Sequence, residues 1–186
     1  MEAKELFARG AQWASDKIEA IGADELHRDT PCTEWDVKAV ANHVTSGLNM
    51  IGRAARSEEP DAEAFTRDYV GDDPASAFAS ELSSTLRELK DVSTDGTWKL
   101  PFGEMPVQTA LGIFGVDQIA HGWDIAKATG QDATIPDGLA TAALGVVDGN
   151  ITEDRRGPDK FFGEQVEVPD DATPGEKLMG YLGRKP

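Results

Sequence analysis

Apolar side chains recur along this chain at the 3.6-residue period of amphipathic helices, and the breaks in that recurrence mark out the elements. Leu6, Phe7, Ala11, Ala14, Ile18 and Ile21 predict a first helix from about Lys4 to Ile21, ended by Gly22. Val37, Val40, Ala41, Val44, Leu48 and Ile51 form the stripe of a second helix that runs to about Arg56. Thr33 reads as its N-cap, with Asp36 three residues on as an acidic variant of the capping box. The polar stretch from Ser57 to Asp73 reads as loop with a short helical turn. Asp73-Pro74 then opens a third helix with Phe78, Leu82, Leu86 and Leu89 on its inner face. Asp95-Gly96 is a turn signal, and Thr97 to Leu100 and Met105 to Val107 predict two short extended pieces around Gly103. A fourth helix runs from about Gln108 to Thr129 and stops at Gly130. A fifth follows Pro136-Asp137 with Leu139, Ala143, Val146 and Val147. Ile151 to Asp171 reads mostly as loop, with a strand at Gln165 to Val168. Thr173-Pro174-Gly175-Glu176 is a capping-box start for a short last helix through Leu182.

Four substantial helices before residue 130 favour antiparallel neighbours, hence a mostly all-α fold built on a helix bundle, with minor β pieces. A length of 186 residues suits one domain over 1–186, with the bundle at about 1–130 and a helical extension at about 131–186. Lys plus Arg is 18 and Asp plus Glu is 34, so the net charge is −16. A field of that sign repels nucleic acid and anionic membranes, and neither is expected as a partner. It also disfavours a highly anionic substrate unless local cations offset it; Arg53, Arg56, Arg67 and Lys127 are the candidates. Its simpler consequence is solubility. The single cysteine, Cys32, forms no intramolecular disulfide and suits a reducing cytoplasm. Met1 to Glu5 begins an amphipathic pattern rather than a signal peptide, and no stretch nears the roughly 20 apolar residues of a membrane helix. A cytoplasmic location is expected.

The fourth helix carries the sharpest chemical signal. It is apolar over most of its circumference, through Leu111, Ile113, Phe114, Val116, Ile119, Ala120, Trp123, Ile125 and Ala126, as buried helices are. Yet Asp117, His121 and Asp124 share one stripe at i, i+4 and i+7. If buried, a carboxylate and an imidazole need partners, and a divalent cation gripped one turn apart is one such partner. The other reading of the stripe is a solvated face. His43, at the edge of the second helix's stripe with Gly47 one turn on, is either a third ligand or a half-buried histidine bonded to a neighbour. His27 lies among Glu25, Arg28 and Asp29 and reads as surface. Two His and one carboxylate with positions open to water is a set used by catalytic zinc and by non-haem iron. Cys32 precedes the second helix, whose dipole lowers a thiol pKa; it is either a nucleophile or a small buried hydrophobe. Trp35 and Trp123 are core residues or pocket walls.

Several segments resemble a known family. Thr30-Pro31-Cys32-Thr33-Glu34-Trp35-Asp36-Val37 leading to Asn42-His43-Val44, and His121-Gly122-Trp123-Asp124-Ile125-Ala126 ending at Thr129-Gly130, are similar to DinB-like proteins of the mycothiol-dependent maleylpyruvate isomerase type. The tail, with Phe162-Gly163, Val166 to Pro169, Ala172 and Leu178 to Gly183-Arg184, resembles the close of a short actinobacterial-type subgroup. The resemblance implies a DinB-like four-helix bundle with a short C-terminal extension. It also implies one divalent ion, zinc or nickel, on His43, His121 and the residue one turn before His121. That residue is His in many DinB-like proteins and Glu in the isomerase; here it is Asp117, whose shorter reach would draw the ion toward its helix or place a water between. The chain has no room for the additional C-terminal domain of the isomerase.

Three functions follow. In the first, a metal-assisted transferase or isomerase, the ion (zinc foremost, nickel or iron otherwise) stabilises the thiolate of a low-molecular-weight cosubstrate such as mycothiol. Asp124 orients a ligand, and the thiolate attacks a small-molecule electrophile. In the second, a metal-dependent hydrolase, bound water attacks a carbonyl with Asp124 or Glu34 as base. The third is a non-catalytic metal- or ligand-binding bundle. An apolar bundle face would suit a homodimer, although no heptad signal specifies one.

Overall fold

The computed structural model describes residues 1–157, 160 and 162–186. The order is α1 (Ala3–Glu19), α2 (Val37–Ala55), α3 (Pro74–Leu89), β1 (Thr97–Leu100), β2 (Gly103–Pro106), α4 (Val107–Thr129), α5 (Asp137–Val147) and α6 (Pro174–Tyr181). A 3₁₀ turn lies at Glu153–Arg155. The fold is mostly helical: α1 packs on α4 and α3, and α2 packs on α3 and α4, closing a four-helix arrangement. β1 and β2 form an antiparallel hairpin with Trp98 opposite Met105. Among the described residues, no helix is long and apolar enough to cross a membrane.

The ends of the helices follow local chemistry. Asp73 accepts from the Ser76 N–H at 3.0 Å with Pro74 in the first turn. Thr173 and Glu176 close the reciprocal capping box that opens α6. Gly130 ends α4 in the left-handed conformation at φ 70°. The start of α2 differs from expectation. Its N-cap is Asp36, which accepts from the Ala39 N–H at 2.8 Å, and not Thr33. Thr33 sits in a turn that precedes the helix. There the Thr30 hydroxyl donates to the Trp35 carbonyl at 2.8 Å, and the Trp35 N–H donates to the Cys32 carbonyl at 2.9 Å. Helix α1 likewise stops at Glu19, short of Ile21. Residues 165–168 are not a strand; Val166 donates to the Gly180 carbonyl at 2.9 Å and runs as a strap along α6. The close approach depends on Gly180, where a Cβ would lie 2.7 Å from the Val166 oxygen.

Helix α4 lies between two apolar clusters, which is why its sequence is apolar nearly all round. One cluster gathers Phe7, Val44, Leu48, Ile51, Phe78, Leu82 and Leu111 from the four-helix arrangement. The other gathers Val116, Ile119, Trp123, Leu139, Ala143, Leu178 and Met179, joining α4 to α5 and α6. Helices α1 and α4 come together at glycines. A Cβ on Gly10 would lie 2.6 Å from the Gly115 carbonyl oxygen, and one on Gly122 would lie 2.9 Å from the Trp13 ring.

Alanine has the higher intrinsic helix propensity, by about 1 kcal/mol over glycine. Gly10→Ala should nevertheless destabilise the protein by about 1–3 kcal/mol, because backbone meets backbone at that crossing. A Cβ on exposed Gly145 in α5 would meet nothing within 4 Å, so Gly145→Ala should stabilise by up to about 1 kcal/mol. Urea denaturation of the two variants against the parent checks both signs.

Candidate metal centre

The cluster forms where α2 and α4 run side by side near the turn that leads into α2. His43 of α2 and His121 of α4 both aim a ring nitrogen at Asp117. His43 Nε2 lies 3.3 Å from Asp117 Oδ1, and His121 Nε2 lies 3.5 Å from the same oxygen. Each of the three residues offers a ligand atom within 4.8 Å of the other two. Ligands on one tetrahedral ion with bonds of about 2.0–2.1 Å stand about 3.3 Å apart, so the spacing fits an ion of that size. Imidazole and carboxylate together suit zinc, iron or nickel.

Asp124 holds His121 in this orientation. It is fully buried, and its Oδ2 lies 2.9 Å from His121 Nδ1. That contact engages Nδ1 and leaves Nε2 directed at Asp117, as carboxylates behind metal-binding histidines do. Arg184, beyond α6, completes the arrangement. Its Nε donates to Asp124 Oδ1 at 2.9 Å and its Nη2 to Oδ2 at 2.7 Å. The stripe that might have been solvated is therefore internal at its lower end. The exposed fraction of the side chain is 28% at Asp117 and 28% at His43, 9% at His121 and zero at Asp124. The cluster opens to solvent on the Asp117–His43 side.

Ionisation follows from these contacts. Burial pushes the Asp117 carboxyl up, but His43 and His121 beside it outweigh that and hold it at about 2. Burial alone would lower His43, yet the charge and hydrogen bond of Asp117 leave it raised above its ordinary value. Asp124 is held low despite burial, by its bonds to His121 and Arg184.

The structure also places the remaining candidates. The Trp35 ring lies 4.6 Å from the His43 ring and 5.7 Å from that of His121, so it walls the cluster. Trp123 is not a wall of this cluster; it packs in the α4–α5–α6 core with Lys127 over its ring. Cys32 is half-buried, with a ligand atom within 4.8 Å of those of His121 and Asp124. Its thiol is not activated by the helix: burial, then the charge of Asp124, push its pKa up, and it sits ahead of the Asp36 cap rather than on the helix end. Glu34 is exposed, and His27 is a surface residue paired with Asp36 at 2.9 Å. Arg53 and Arg56 pair with Glu58, and Arg67 with Asp61 and Glu63. The cation at the cluster is Arg184, to which the sequence pattern assigns no role. Its signal was indirect: a carboxylate on a helix apolar all round requires a positive partner from elsewhere.

The family model of the mycothiol maleylpyruvate isomerase N-terminal domain matches residues 7–126, which include His43, Asp117, His121 and Asp124. An uncharacterized protein of Mycobacterium tuberculosis strain CDC 1551 / Oshkosh is 33% identical over 165 residues, covering 88% of this chain and 87% of its own. Its counterpart in strain ATCC 25618 / H37Rv matches to the same extent. No solved structure gives a significant match.

Removing one partner of a buried ion pair strands the other. Arg184→Met should therefore cost about 3–5 kcal/mol, and Asp124→Asn added to it should restore part of that loss; chemical denaturation of the single and double variants measures both. The raised His43 value sets a pH dependence for the metal-free protein. A group with a raised folded-state pKa stabilises fully below its unfolded value, and that stabilisation is lost as pH climbs from about 6.5 through the folded value. A stability profile over this range should be flatter in His43→Asn than in the parent.

Proposed function

Because this chain belongs to the mycothiol maleylpyruvate isomerase N-terminal domain family, we propose that it uses a low-molecular-weight thiol of the mycothiol type on a small electrophilic substrate, with His43, Asp117 and His121 holding one divalent ion. One observation carries the reading: two imidazole nitrogens converge on a single carboxylate oxygen at 3.3 and 3.5 Å. Bound there, the ion (zinc foremost, with nickel or iron as alternatives) would act as a Lewis acid that favours thiolate over thiol.

The rest of the chemistry belongs to the chain's own residues. Asp117, ionised from about pH 2 upward, serves as a ligand and not as a proton donor at neutral pH. Its reach is shorter than that of a glutamate, which suits a site drawn close to α4. Asp124 positions His121, and Arg184 neutralises Asp124, so neither needs to change protonation during turnover. Trp35 shields one side of the cluster while the Asp117–His43 side admits ligands. In a transfer reaction the thiolate sulfur bonds to an electrophilic carbon, either displacing a leaving group that departs with its bonding pair or adding across an activated double bond whose other carbon takes up a proton from water. In an isomerisation it adds to the double bond, the single bond so formed rotates, and expulsion of the thiolate restores the double bond in the other geometry. A metal-dependent hydrolase is less well supported. Both Asp124 oxygens are committed to Arg184, and Glu34 lies exposed outside the cluster, so neither stands ready as a general base. We take residues 1–186 as one functional unit, since Arg184 reaches back to α4.

Protein purified without added metal or a His-tag should contain about one zinc, nickel or iron ion per chain by elemental analysis, and His43→Ala should lose it. Retention of the ion in His43→Ala, or no ion even after soaking the parent in zinc, would overturn the ligand assignment. Calorimetric titration with mycothiol should then show binding to the metal-loaded parent alone.

A further inference from the structure

The open side of the cluster continues into an apolar shelf. Side chains on a helix lean toward its N-terminus, so the Asp117 carboxylate leans over the turn that carries Ile113 and Phe114. Ile113 is 44% exposed and Phe102, at the tip of the β1–β2 hairpin, is 53% exposed. The Phe102 and Phe114 rings stack with centroids 6.3 Å apart. Phe114 itself fits against α2 through Gly47, one turn beyond His43, where a Cβ would lie 3.2 Å from its ring. Two of the large apolar side chains most exposed among the described residues thus lie beside the elements of the candidate metal centre: Ile113 one turn before Asp117 on α4, and Phe102 on the Phe114 ring that packs against α2 one turn beyond His43. An exposed side chain of that size leaves hydrophobic stabilisation unused, which a ligand recovers on binding.

Charge points the same way. Among the described residues Arg184 is the cation at the cluster, and three of its five N–H donors are engaged, by Asp124 at Nε and Nη2 and by the Leu182 carbonyl at Nη1 at 3.3 Å. The charge of Arg184 is balanced by the buried Asp124 carboxylate that it grips on both oxygens, which leaves little net attraction for a substrate carboxylate, and the chain as a whole carries −16.

We propose that Ile113 and Phe102, set over the buried Phe114 ring, form the electrophile subsite, and that it takes an uncharged, apolar or aromatic acceptor rather than a dicarboxylate. The proposal rests on the thiol reading above and specifies its second substrate. Phe102 and Ile113 set specificity by contact and take no part in bond making.

The test uses full-length, zinc-loaded protein and two mycothiol thioethers, one bearing a 2,4-dinitrophenyl group and one a 1,2-dicarboxyethyl group. Calorimetry should show the dinitrophenyl conjugate binding at least about tenfold more tightly. Phe102→Ser and Ile113→Ser, both at exposed positions, should each weaken that conjugate about three- to tenfold while leaving the dicarboxyethyl conjugate and zinc content unchanged. Equal or tighter binding of the dicarboxyethyl conjugate, or variants with no effect, would overturn the subsite. Thiol-free 1,3-dinitrobenzene separates the two ideas. Saturation transfer to this arene that is lost in Phe102→Ser, with neither conjugate binding, would keep the subsite and defeat the thiol reading. Mycothiol binding with no arene contact would do the reverse. Sedimentation of the variants closes the remaining route: a parent dimer that becomes monomeric in Phe102→Ser would make the shelf a self-association face and overturn the proposal.

Discussion

A carboxylate buried without any contact to water governs this architecture. Asp124 lies inside α4 at a position the apolar clusters would otherwise fill, and its desolvation must be offset by specific partners. Two partners do so, one distant in the chain and one local. Arg184 brings the segment after α6 back to α4, and His121 takes up a fixed ring orientation as it satisfies the carboxylate. One ion pair therefore ties the C-terminal segment to the helix that carries two of the proposed ligands. Its geometry also decides which nitrogen of His121 faces Asp117.

That arrangement holds only if α4 cannot shift. Its glycines at positions 115 and 122 let α1 approach so closely that the backbones touch, and Trp13 donates to the Ile119 carbonyl at 3.3 Å across the same crossing. On the opposite side α5 and α6 pack against Val116, Ile119 and Trp123. With cores on two sides, α4 is held in rotation and in register. Gln118, buried beside Asp117, donates to the Val44 carbonyl at 2.9 Å and fixes α4 against α2. The distance between His43 and Asp117 is thus set by packing, before any ligand is considered.

The same constraint shapes the chemistry proposed for the cluster. Its buried half is electrically closed, with Asp124 balanced by Arg184 and His121. Its open half carries Asp117 and His43 and adjoins an apolar shelf. On the proposed reading, reactants approach past Ile113 and Phe102 and meet first Asp117 and His43, the two partly exposed residues of the cluster.

Sequence by itself determined the helices and most of their ends, because periodicity, prolines, glycines and capping side chains act within a few residues. It singled out Asp117, His121 and Asp124, because polar groups on an otherwise apolar helix demand partners wherever that helix lies; His43, on another helix, it left between ligand and half-buried histidine, and only the family resemblance set it beside them. It misplaced the start of α2, since Thr33 and Asp36 are both good caps and only the turn built on Thr30 chooses between them. It could not separate Trp35 from Trp123, as both are large and apolar and only packing assigns one to the cluster and the other to the core. Nor could it give Arg184 a role: Asp124 and Arg184 are 60 positions apart, and their pairing depends on how α5 and α6 fold back onto α4. Local free energies write themselves into neighbouring residues; long-range pairings are decided by tertiary structure, where desolvation selects which distant charges must meet.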